Sequence, residues 1–426
     1  MSQAAEPMLR DSSAFVTADA GPKASNRWTV VVFSASGWFF DGYVINVWPL
    51  CIPLVMASFG LNIKDIGLVT SAYLVAYMLG TLGGGTLADY VGRKTMLSVS
   101  VLFYMVIDAL TAVAQGFTSL AVFRFLTGTG TGMELPIGAT FISEAVKEGE
   151  RSRMISIMNL GYPLGYLLAI VMFALIEPHW GWRGMFAASI LPGLLVYAVR
   201  RKVMESERFE TMLDKLKDGE IARDRITLRT LLKGAYRKDA LIAAVYWVGN
   251  AFTFWSFLAF VPLYLVKVRH LDSSTELTYL GFWQIFYALV PLLAGCLGDY
   301  WGRRPTAIAF AILAALGVWA TTIVPSGPLL FLVGGLTYGA VAAPWIISFT
   351  HSAESFPTHI RGTAIGSTMA VGRLVAIVAP IVFGGFAERY GIDFALRAGT
   401  VAWIFTIIGF LLSRETKGLR LEDISA

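Results

Sequence analysis

Charge is scarce in this sequence. Only 15% of its 426 residues are Asp, Glu, Lys or Arg, where a water-soluble domain carries roughly 25%. Cysteine is nearly missing: Cys51 and Cys296 each lie inside an apolar stretch, which excludes a disulfide framework or a zinc-type ligand spacing. The four histidines, His179, His270, His351 and His359, are scattered. They offer no metal cluster and no nucleophile–base pair, so neither an enzyme nor a bound cofactor is expected. The first 27 residues hold no continuous apolar run. That excludes a cleavable signal peptide and leaves a disordered tail over 1–27 as the expectation.

Apolar residues make up 56% of the chain, with a mean hydropathy of +0.64. One compact core cannot hide so much apolar surface; a lipid bilayer can serve as its solvent. A helix crosses the hydrocarbon with about 20 apolar residues. Runs of that order recur at 28–58, 64–89, 95–115, 117–146, 153–177, 183–200, 239–267, 276–299, 304–324, 328–354, 361–387 and 393–413. An all-α membrane protein with twelve transmembrane helices is predicted, with both termini on one side. Of the 34 Lys and Arg residues, 26 fall on the even-numbered connections and the two tails and six on the odd-numbered ones, while Arg124 and Arg373 lie inside segments. The positive-inside rule then puts both tails in the cytoplasm of an inner (plasma) membrane protein. The same bias accounts for the net charge of +5 without nucleic acid as a partner. The polar stretch 200–238 reads as a cytoplasmic linker with amphipathic surface helices. It joins a six-helix bundle at 28–199 to a second at 239–413, and 414–426 is a cytoplasmic tail.

An internal repeat organises the chain. G-T-L-A-D-Y-V-G-R-K at 85–94 returns as G-C-L-G-D-Y-W-G-R-R at 295–304, an offset of 210 that also carries Glu144 onto Glu354, Arg151 onto Arg361 and Gly181 onto Gly391. Two related halves are therefore expected. In each copy a glycine, Gly92 or Gly302, permits a tight reversal. Asp89 and Asp299 stand at helix C-termini, where the dipole disfavours a carboxylate unless a cation such as Arg93 or Arg303 answers it. Gly85, Asp89, Gly92, Arg93, Glu144, Arg151, Asp299, Gly302, Arg303, Glu354 and Arg361 thus form a candidate cytoplasmic gate. It reads either as a structural turn or as a charge latch that breaks and reforms, and the two are compatible.

This repeated loop resembles that of the major facilitator superfamily, whose G-x-x-x-D-x-x-G-R-[KR] motif appears twice. R-F-L-T-G-T-G-T-G-M-E-L-P at 124–136, E-S-E-R-F at 205–209 and E-T-K-G-L at 415–419 are similar to its sugar-porter and organic-ion branch. The chain looks closest to the bacterial aromatic-acid and nicotinate proton symporters. The resemblance implies two six-helix bundles, helices 1 and 4 as neighbours around a central cavity, and a monomer. Some features depart: helix 7 lacks the glutamine pair of true sugar porters, and Val44 stands where aromatic-acid symporters usually carry a second acid.

An ionisable group in mid-membrane costs about 2.5–3.5 kcal/mol on insertion scales, so each demands a reason. Asp41 and Arg124 come to similar depths on helices 1 and 4 by the helical rise. Their pairing is predicted, either as a static buried pair or as a proton switch in which protonated Asp41 releases Arg124. Glu134 is a second proton-carrier candidate or a structural hydrogen-bonding group, and Asp108 on helix 3 is read as a structural partner. Arg373 has no acid within a turn or two on its own helix, so it either meets an acid from another helix or binds a substrate carboxylate with its fork. Tyr43, Asn250, Trp255, Gln284, Tyr338 and Trp345 are candidates for an apolar, polar-dotted pocket. The function expected is proton-coupled uptake of a small organic anion, an aromatic or other monocarboxylate, by alternating access, with the proton as coupling ion. A drug or metabolite exporter and a non-transporting sensor are the rival readings.

Overall fold

The computed structural model describes residues 24–200, 210–211, 231 and 236–419. The expected tail over 1–27 lies almost wholly outside the described residues, as does most of the linker expected over 200–238. Fourteen helices are named here: α1 (Ala24–Phe59), α2 (Ile63–Val91), α3 (Arg93–Leu110), α4 (Phe117–Ala145), α5 (Arg151–Asn159), α6 (Gly161–Ala187), α7 (Ile190–Arg200), α8 (Arg237–Lys267), α9 (Ser273–Trp301), α10 (Arg303–Ile323), α11 (Pro328–Ser355), α12 (Arg361–Tyr390), α13 (Ile392–Gly399) and α14 (Trp403–Leu412).

Among the described residues, ten helical runs are long and apolar enough to cross a membrane. Two more make twelve. α4 has the length but carries Arg124 and Glu134, and the sixth crossing is α7 with the residues after Gly181, a break at φ 58° inside α6. Its counterpart Gly391 also has positive φ, at 89°, so the 210-residue offset holds for the backbone. α5 and α6 make one crossing, joined through Leu160. α13 and α14 make the twelfth.

Local sequence sets several boundaries. Asn62 and Asp65 form a reciprocal capping box at the start of α2, satisfying two otherwise orphaned backbone N–H groups. Asp272 caps α9 through the Thr275 N–H. Gly92 and Gly302 take φ of 108° and 117°, which lets each chain turn within one residue from α2 into α3 and from α9 into α10.

The outer surface is strongly apolar. Leu175, Leu191, Leu316 and Ile381 are each more than 60% exposed, a surface suited to lipid and not to water. Polar and charged side chains are instead drawn inward. The halves meet mainly along α2 with α12 and α5 with α9. A Cβ built on Gly85 would lie 2.1 Å from the Gly362 carbonyl oxygen, and one on Gly295 would lie 2.7 Å from that of Ser152. Small residues let these backbones touch, which is how membrane helices gain dispersion contact without a hydrophobic driving force.

Candidate functional site

The two glycine turns mark one end of the bundle, called here the basic end. Arg93 binds Asp89 at 3.1 Å and Glu144 at 3.0 Å, and Arg361 of the other half reaches Glu144 at 2.9 Å. Asp89 also accepts from the backbone N–H of Gly362 (3.2 Å) and Thr363 (2.7 Å), at the N-terminus of α12. The second copy repeats every element. Arg303 binds Asp299 at 3.1 Å and Glu354 at 2.7 Å, Arg151 reaches Glu354 at 3.4 Å, and Asp299 accepts from the Ser152 (3.1 Å) and Arg153 (2.9 Å) N–H groups of α5. Each aspartate is thus disfavoured at its own helix C-terminus and rewarded at the other half's N-terminus, where the dipole favours an anion. The sequence offset placed these residues correctly. Their partners across the halves could not be read from it.

The copies differ in what covers them. The segment after α14 lies over the second: Thr416 donates to Glu354 Oε2 at 2.6 Å, and Glu415 accepts from the Arg303 and Arg304 N–H groups at 2.8 and 3.0 Å. Every hydrogen bond and ion pair found between the halves among the described residues sits at this end.

In the bundle interior, the expected pairing of Asp41 with Arg124 does not form. Arg124 Nη1 binds Asp108 Oδ1 at 2.9 Å, and its guanidinium lies over Tyr73 (4.7 Å), Trp48 (5.2 Å) and Phe186 (5.9 Å). Equal depth on two helices does not fix azimuth: Arg124 points toward α3, and Asp108 neutralises it there. Asp108, read from the sequence as a structural partner, is the carboxylate that Arg124 binds.

Asp41 is fully buried, and neither of its oxygens accepts a well-aligned hydrogen bond among the described residues. The Tyr104 hydroxyl approaches it, and the charges acting on it are Glu134, Arg200 and Arg373. Glu134 is held by Arg200 in a two-point bridge at 2.6 and 3.0 Å and accepts from Ser100 Oγ at 2.5 Å.

Arg373 sits 4% exposed at the interface between halves. No ion pair or hydrogen bond engages its guanidinium among the described residues, and its Nε is buried without an acceptor. Three ring faces surround it: Tyr77 of the other half at 4.2 Å, Trp345 at 5.3 Å and Trp255 at 5.4 Å. The possibility that an acid from another helix pairs with it is therefore not realised. Aromatic contacts extend outward from there. Phe254 stacks on Trp345 at 5.2 Å, Tyr287 meets Tyr338 at 5.9 Å and, across the halves, Tyr162 at 5.8 Å; Gln284 Nε2 points at the Tyr338 hydroxyl, 3.5 Å away.

Four of the six pocket candidates, Trp255, Gln284, Tyr338 and Trp345, fall in this aromatic region. Tyr43 does not: it packs within the first half, stacking near Phe40 and donating to the Met185 carbonyl at 3.3 Å. Asn250 spends its amide on helix packing, donating to Ser348 Oγ (2.7 Å) and accepting from Thr406 (3.1 Å). The sequence reading missed Tyr77, Tyr162, Tyr287 and Arg200. The tyrosines carry no periodic signal among so many aromatics. Arg200, as the last residue of an apolar run, was legible only as a membrane-flanking cation.

Comparison with known proteins fits this architecture. The family model described as Major Facilitator Superfamily matches residues 28–380 and 273–419. A probable 4-methylmuconolactone transporter of Cupriavidus pinatubonensis is 27% identical, covering 91% of each chain. The niacin transporter NiaP of Acinetobacter baylyi is 26% identical over 95% of this chain and 97% of its own. Among solved structures, the proton:xylose symporter XylE superposes with a TM-score of 0.80 at 18% identity, covering 94% of this chain and 98% of that one.

Proposed function

The chain belongs to the major facilitator superfamily of transporters, and from that premise we propose that it carries a small organic anion, an aromatic or other monocarboxylate, into the cell with a proton. One observation carries the reading: a buried guanidinium at the interface between halves, boxed by aromatic faces and held in no ion pair among the described residues. An arginine has five N–H donors in a fixed fork, and ring faces satisfy none of them as a carboxylate would. The surrounding tryptophan and tyrosine rings suit a flat, largely apolar body attached to that carboxylate.

The basic end faces the cytoplasm of the inner membrane, and its paired latches hold that side shut while the opposite side admits substrate. Asp41 takes the proton. Among the described residues it is buried without an ion-pair partner, and Arg373 is among the charges that act on it, so proton and substrate occupancy are linked through the same field. When both are bound the latches release and the halves rock about the interface. One proton with one monovalent anion moves no net charge.

The test is uptake by proteoliposomes with an alkaline interior, using radiolabelled nicotinate and 4-hydroxybenzoate. Accumulation that a protonophore collapses and that Arg373→Ala abolishes is the expected result. Uptake indifferent to the pH gradient, or unchanged in the Ala variant, refutes the reading.

A further inference from the structure

Two buried pairs have no part in the scheme above, Arg124 with Asp108 and Glu134 on α4 with Arg200 at the end of α7, and the second is the one that lies beside Asp41. Arg200 is fully buried although it ends its helix. It grips Glu134 at two points, donates to the Leu97 carbonyl and lies over the Phe33 ring at 4.9 Å. The pair rests against α1 at Gly37, where a Cβ would fall 1.7 Å from Arg200 Nη2 and 2.2 Å from Glu134 Oε2. Gly37 lies one helical turn, about 6 Å, from Asp41 on the same face. The bridge is therefore the charged neighbour of a carboxylate that has no ion-pair partner of its own.

The other groups that act electrostatically on Asp41 are Tyr104 from α3, Tyr73 and Tyr77 from α2, Tyr162 from α6 and Arg373 from α12. Of these only Arg373 carries a full charge. Count the four ionic groups. With Asp41 ionised, two carboxylates balance Arg200 and Arg373. A substrate carboxylate on Arg373 breaks that balance, and one proton on Asp41 restores it. The count works only while Glu134 cancels Arg200. Were Arg200 free to turn to Asp41, an ion pair in this dry interior would hold Asp41 ionised, because an opposite charge nearby favours the charged form.

We propose that Glu134 is a positioning residue that sequesters Arg200, and that this bridge sets the pH at which Asp41 takes up its proton. The inference rests on the reading of Asp41 as proton carrier. It assigns Arg200 a role in coupling rather than in substrate contact.

Infrared titration of the purified full chain in lipid tests this without any substrate. The carbonyl stretch of a protonated carboxyl group is followed against pH, and the Asp41 band is the one lost in Asp41→Asn. Glu134→Gln should move the midpoint of that band to lower pH by about one to three units. Arg200→Gln should move it to higher pH, and the double variant Glu134→Gln/Arg200→Gln should return it near the wild-type position. A purely structural pair would not shift the midpoint in opposite directions and then restore it. An Asp41 band that stays put in Glu134→Gln overturns the proposal and leaves the proton-carrier reading standing. If Asp41→Asn removes no band, both fall.

Discussion

Replacing Arg373 by alanine separates a binding role from a structural one, and the structure supplies the magnitudes. A carboxylate seated on the guanidinium fork would make two charge-assisted hydrogen bonds. At about 1.5–3 kcal/mol each, the variant loses about 3–6 kcal/mol of substrate binding. With about 1.4 kcal/mol per tenfold, affinity falls by roughly two to four orders of magnitude. Folding should respond far less. A cation at this depth costs about 2.5–3.5 kcal/mol on insertion scales, and no ion pair among the described residues engages it. The three ring faces return about 0.5–2 kcal/mol each, which is about the same sum, so removing the side chain should leave thermal stability in the absence of substrate close to level. The assay is a thermal-shift titration of purified protein with nicotinate and 4-hydroxybenzoate. Wild type should gain stability with ligand. Arg373→Ala should start from a Tm close to wild type and gain nothing, and Arg373→Lys, which keeps the charge but not the fork, should fall between. An Ala variant that melts well below wild type without ligand would reveal a structural brace. One that keeps the full ligand shift would refute the reasoning.

Other consequences can be checked separately. Asp108→Asn leaves Arg124 buried without its carboxylate; a loss of about 3–5 kcal/mol is expected, seen as a lower Tm with proton-driven uptake still present in the folded fraction. Gly85→Ala places a methyl 2.1 Å from a backbone carbonyl of α12, which cannot swing aside as a side chain can. It should force the basic end apart, seen as faster thiol labelling of cysteines introduced behind the latch, and unchanged labelling would count against tight closure there. Burial pushes the Glu415 carboxyl up, but the backbone N–H groups of Arg303, Arg304 and Lys417 outweigh it and hold the group below its ordinary range. A depressed value means stability that is present above the unfolded-state pKa and lost as pH falls through the folded one. Glu415→Gln should therefore lower Tm at neutral pH, with the difference from wild type vanishing in acid. A difference independent of pH would contradict it.

The latch shows how far the chain can be read unaided. One constant offset matched Asp89 to Asp299, Glu144 to Glu354 and Arg151 to Arg361, and hydrogen bonds at both copies repeat that matching. Even the unannounced pair of contacts from Arg93 to the Thr358 carbonyl and from Arg303 to the Glu148 carbonyl obeys it. Arg124 shows the limit. Its expected partner was wrong, because helical rise gives height while the partner depends on which way the helix is turned. Arg200 was hidden for another reason: at the boundary of an apolar run, a snorkelling cation and one folded back into the interior look alike.

Composition, hydropathy and the repeat determined that this chain crosses a membrane twelve times as two related bundles, since apolar length and charge bias act along the chain and need no knowledge of packing. Tertiary structure decided which buried charges meet. It gave Arg124 to Asp108 and Glu134 to Arg200, left Asp41 and Arg373 in no ion pair among the described residues, and wrapped Arg373 in aromatic rings. Those pairings depend on helix rotation and interbundle contact within a few ångströms, and in a low-dielectric interior that distance separates a neutralised charge from one available to a proton or a substrate.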